Sequence, residues 1–88
     1  MIRIPTLAAL ALGTLLPVAA YAMPEVGDVV GTNPEDATVA LAAAGCDVDE
    51  FEPEGGQIEA KCADADGAHW EVYIDPQSGA VTKIKAED

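Results

Sequence analysis

Trp70, Val72 and Ile74 alternate with Glu71, Tyr73 and Asp75, the period of a strand with one face buried. The next residues, Asp75-Pro76-Gln77-Ser78-Gly79, are turn chemistry. Asp75 and Ser78 can bond the local backbone, Pro76 presets φ, and Gly79 accepts a positive one. Val81, Thr82 and Ile84 then resume strand-forming residues. Two more turn signals, Pro53-Glu54-Gly55-Gly56 and Asp64-Ala65-Asp66-Gly67, divide the preceding stretch. The predicted strands are 46–52, 57–63, 68–75 and 80–86, and connections this short force antiparallel neighbours. Ahead of them the period changes to that of a helix. Asn33 is placed to cap it, Pro34 stands at its first position, Glu35 and Asp36 favour its positive end, and Gly45 ends it. Ala37, Ala40, Leu41 and Ala44 share one face. The pattern predicts an α+β fold, one N-terminal helix packed on a four-stranded antiparallel β-meander. Ile58, Ala60, Trp70, Val72, Ile74 and Ile84 are the predicted face under the helix.

The first 22 residues follow a different rule. Met1-Ile2-Arg3 gives a positive start, residues 6–16 are largely apolar, and Ala20-Tyr21-Ala22 is an A-x-A cleavage pattern. Pro5, Gly13 and Pro17 interrupt a run already short for a bilayer span. No cysteine follows it to carry a lipid. Residues 1–22 therefore read as a cleaved signal peptide, 23–32 as an extended arm held by Val26, Val29 and Val30, and 33–88 as the domain. A periplasmic or secreted protein with no membrane anchor after cleavage is expected.

Removing 22 residues from 88 leaves 66, room for one small core. All 16 acidic residues follow residue 22, and of the four basic ones Arg3 is lost, so the mature formal charge is (4 − 1) − 16 = −13. Such a surface repels phosphate backbones and anionic lipid, which excludes nucleic acid as a partner. It reads first as a solvated face, ahead of an acidic docking surface.

Candidate chemistry is sparse. Cys46 and Cys62 are the only thiols and flank one predicted hairpin, in a chain addressed to an oxidising compartment. A three-residue loop would set Cys46 opposite Cys62, and a two-residue loop at Glu54-Gly55 would set it opposite Ala63. A disulfide and two separate small core residues both fit. His69 lies on the polar face of its strand with no placed nucleophile or acid beside it. Asp64-Ala65-Asp66-Gly67 and Asp47-Val48-Asp49 lack the ligand spacing of a calcium loop. No phosphate loop, nucleophile elbow or zinc motif occurs. No catalytic residue, cofactor or metal ligand is assigned.

The strand, the Asp75–Gly79 turn and the closing strand resemble the end of a PepSY domain. The resemblance extends upstream through Gly31-Thr32-Asn33-Pro34, Leu41–Gly45, Phe51 and Asp64–Gly67. It implies a domain that binds or modulates another envelope or secreted protein, with a peptidase as the first candidate; the lack of a nucleophile with its activator makes a non-enzymatic protein the expectation, and a monomer is expected. The helix-free sheet face, or the edge along residues 80–86, is the expected contact region. The alternative is an acidic binder of small ligands or divalent cations in the periplasm.

Overall fold

The computed structural model describes residues 23–87. The expected signal peptide, its cleavage site and Asp88 lie outside that range. Helix α1 spans Pro34–Ala43, followed by β1 Asp47–Glu54, β2 Gln57–Ala63, β3 His69–Ile74 and β4 Val81–Ala86. The strands form one antiparallel sheet in the order β1-β2-β3-β4. The α+β class and the meander are as the pattern predicts, with the helix following the arm.

Local chemistry sets α1. The Asn33 side chain accepts from the Asp36 N–H at 2.9 Å and donates from Nδ2 to the Asp36 carboxylate at 3.0 Å. Asn33 is extended, Pro34 follows it, and Gly45 has φ 98° beyond the last turn. Ala37 and Leu41 are buried and Ala40 packs beside them. They cover Ile58, Ala60, Cys62, Val72, Ile74 and Val81 on the sheet, with Phe51, Trp70 and Ile84 at the margins. Trp70 is therefore a half-buried border residue, where the alternation predicted one fully under the helix. Its indole N–H reaches outward to Asp64 Oδ2 at 2.8 Å.

The first hairpin adopts neither register considered from the sequence. Glu54 pairs with Gln57, Pro53 with Ile58 and Phe51 with Ala60. A bulge between Val48 and Glu50 then shifts the pairing to Val48 with Cys62. The loop is Gly55-Gly56, both at positive φ, 58° and 84°. This is the turn whose twist matches the flanking strands. β1 thus continues through Pro53, which an edge strand tolerates because the missing N–H faces outward. Cys46 sits just ahead of β1, diagonal to Cys62 rather than opposite it. The two are joined as a disulfide with Cα atoms 5.3 Å apart, and both are fully buried. The place of the Gly55-Gly56 loop and the bulge together set that diagonal.

The arm also differs from expectation. Val30 is buried, whereas Val26 and Val29 are 63% and 71% exposed. Backbone pairing holds the arm instead. Gly27 N–H donates to Val81 O, Val81 N–H to Asp28 O, and Val30 N–H to Gly79 O, each at 2.8 Å. The arm therefore covers the start of β4, part of the edge expected to be free.

Candidate functional site

The two faces of the sheet differ in chemistry. On the helix-free face, β1 contributes Glu50, Glu52 and Glu54, β2 Gln57, Glu59 and Lys61, β3 His69, Glu71 and Tyr73, and β4 Lys83 and Lys85. The register sets these side by side. Glu50, Lys61, Glu71 and Lys85 form one transverse row, and Glu52, Glu59, Tyr73 and Lys83 the next. Lys61 Nζ lies 3.4 Å from Glu52, and Lys85 Nζ 3.7 Å from Glu71. Tyr73 donates its hydroxyl to Glu71 at 3.2 Å, and Lys83 sits 4.5 Å from the Tyr73 ring centroid. All three lysines of the described residues occupy this face.

Glu59 is the exception in that lattice, a carboxylate only 5% exposed. Its pKa is raised, first by burial and then by the Glu71 charge beside it. Glu50 is raised by its hydrogen bond with Glu52, while that same contact, helped by Lys61, lowers Glu52. Burial raises the Tyr73 phenol. The alternation predicts which way Glu59 points, but its burial needs the neighbouring strands.

The turn aspartates are occupied by structure. Asp64 Oδ1 accepts from Asp66 and Ala68 N–H at 2.9 Å, and Oδ2 takes the Trp70 indole. These bonds hold its pKa low, the indole foremost. Asp75 Oδ1 accepts from Gln77 at 2.8 Å, and the Asp75 carbonyl accepts from Gly79 at 2.8 Å. Gly79 has φ 75°, and a Cβ there would stand 2.8 Å from the Gly31 carbonyl group. The turn motif is thus also the place where the arm closes on the sheet. His69 lies exposed at the start of β3 and pairs with Ala63.

The helix side carries a concavity that the sequence did not disclose. A cleft of about 230 Å³ opens between the start of α1, the end of β1 and the β3–β4 turn. Phe51, Pro53, Ile58, Ile74 and Pro76 form its walls, with Thr32, Pro34 and Ala37 on the helix side. These residues come from four separate segments, so no local motif announces them. Chemically the cleft offers mainly apolar contact, with Thr32, Asn33 and Glu52 as its polar lining. Among the described residues no set of three His, Cys, Asp or Glu could hold a metal ion. No helix among them is long and apolar enough to cross a membrane.

The small α+β module thus presents one charged sheet face and one apolar cleft. The chain matches the family model of the peptidase propeptide and YPEB domain over residues 6–85. It belongs to that PepSY family, whose domains are propeptide-like or peptidase-regulatory and typically occur in exported proteins. No curated protein and no solved structure matches it.

Proposed function

We propose that the mature domain is an exported, non-enzymatic module that binds an envelope or secreted peptidase and restrains it. The carrying observation is the family match, which runs over nearly the whole chain. The fold supports the reading: the disulfide suits an oxidising compartment, and the β1 edge, free among the described residues, and the apolar cleft offer contact chemistry. The rival, a divalent-cation binder, draws no support from the acidic turns, because Asp64 takes backbone N–H groups on Oδ1 and the Trp70 indole on Oδ2, and Asp75 Oδ1 takes the Gln77 N–H.

The test is saturable inhibition. The disulfide-bonded mature protein is added to a secreted metallopeptidase of the same organism, and its own hydrolytic activity is assayed in parallel. Concentration-dependent slowing of the peptidase, with no hydrolysis by the domain alone, is expected. Peptide hydrolysis that survives repurification and disappears in His69→Ala would overturn the non-enzymatic reading.

A further inference from the structure

Resting on the peptidase-binding reading, we propose that the partner is held through an extended, basic segment laid along the outer edge of β1. One apolar side chain of that segment enters the cleft beside Phe51 and Pro53.

Edge geometry carries the first part. β1 ends the sheet, and no backbone hydrogen bond joins its outer side to another element among the described residues. The opposite edge is partly taken, since the arm bonds Val81 there. In a hairpin with a two-residue loop, the residues flanking the loop bond each other, and alternate residues then face outward. With Glu54 and Gln57 flanking the Gly55-Gly56 loop, Phe51 directs its N–H and C=O outward, and Pro53 directs its C=O the same way. Their side chains meanwhile wall the cleft. A strand added at this edge would therefore meet backbone bonding groups and an apolar socket at the same residues, the two elements of strand-addition recognition.

Charge and size select the occupant. β1 carries Asp47, Asp49, Glu50, Glu52 and Glu54 and no cation, and only Glu52 has a lysine partner. A second copy of this edge would bring like charges together and be repelled. A segment bearing lysine or arginine is attracted. The cleft, at about 230 Å³, is smaller than the ~300–1,000 Å³ usual for small-molecule sites. It suits one branched or aromatic side chain.

The experiment uses three capped peptides and the isotope-labelled, disulfide-bonded protein. Acetyl-Val-Lys-Leu-Lys-Val-amide, whose lysines face the side of Glu50, Glu52 and Glu54 when Leu faces the cleft, is compared with the version having Glu for both Lys and with the version having Ser for Leu. The first should shift the amides of Phe51, Ile58 and Ile74, slow exchange at the Phe51 N–H, and weaken with added salt. The other two should bind at least tenfold more weakly. Thr32→Trp, at the exposed cleft rim, should erase the preference for Leu over Ser. Asp49→Lys combined with Glu54→Lys should erase the preference for Lys over Glu, and melting curves would confirm that both variants fold. No binding by any peptide, equal binding of the acidic and basic ones, or shifts confined to Lys61, Lys83 and Lys85 would overturn the proposal. The same variants separate the two readings. A peptidase restrained equally by wild type and both variants removes this site and leaves restraint standing. Selective peptide binding without restraint of any envelope peptidase removes restraint and leaves the site.

Discussion

Glu59 is the residue whose environment departs furthest from its chemistry, since it is a carboxylate buried beside a second carboxylate on an otherwise wet face. With its folded pKa raised, the native state keeps a proton that the unfolded chain has released. Stability should therefore rise as pH falls from neutral toward the ordinary glutamate range, and Glu59→Gln should raise Tm at neutral pH. Below that range wild type and variant should converge, which thermal melts across pH would reveal. Asp64 works in the opposite sense. Its lowered pKa makes a contribution that is complete above the ordinary aspartate range and lost as pH falls through the folded value. Asp64→Asn should flatten that acid limb. Trp70 joins the two effects, being half-buried and bonded to Asp64. Trp70→Ala should cost about 3 kcal/mol, the low end for large aromatic truncations. His69→Ala, exposed on the other face, should stay within about 0.5 kcal/mol in denaturant titrations. Alternation alone predicts which face each residue occupies. It cannot predict the depth of Glu59 or the marginal seat of Trp70, because both depend on how far α1 and the neighbouring strands extend.

At the scale of elements, whatever rests on local chemistry was legible. The Asn33–Pro34 cap, the Gly45 stop and the two aspartate turns form where residue types demand them. The register of the first hairpin was only partly so: the Gly55-Gly56 loop that sets it is a turn signal, but nothing marks the bulge between Val48 and Glu50 that shifts it further. The arm departs from its pattern because its hold is backbone pairing and the Gly31–Gly79 approach, with Val30 alone of its three valines buried. Gly79→Ala would combine a positive φ with a 2.8 Å clash. It should destabilise by more than about 1 kcal/mol, with faster amide exchange at Val30 and Val81. The Cys46–Cys62 bond closes a short loop and ties the end of α1 to an inner strand. Reduction should remove about 3 kcal/mol. At roughly 4–8 °C per kcal/mol for a domain of this size, Tm should fall by roughly 12 °C or more. A reduced protein that melts at the oxidised temperature would deny the bond any stabilising part.

Taken whole, the molecule divides its surface between a charged sheet face, with the acids of β1 along its margin, and an apolar cleft on the helix side. The family motifs are mostly turns and caps that build the scaffold, which is why the sequence spoke more clearly of fold than of contact. The cleft draws on the arm, α1, β1, β2 and the last turn, and exists only once they have met. Restraint of a peptidase through the β1 edge and the cleft should persist after acylation of the lysines, none of which belongs to β1 or lines the cleft, and loss of inhibition after acylation would relocate the contact. That placement of the lysines has a second outcome. Lys61 lies inside β2 and Lys83 and Lys85 inside β4, so every bond open to a lysine-specific protease among the described residues belongs to a paired strand. Such an enzyme can cut only chain that has left the sheet. Cleavage after Lys83 or Lys85 then times the peeling of an edge, cleavage after Lys61 times the parting of the whole sheet, and the gap between the two rates measures how cooperatively the domain comes undone.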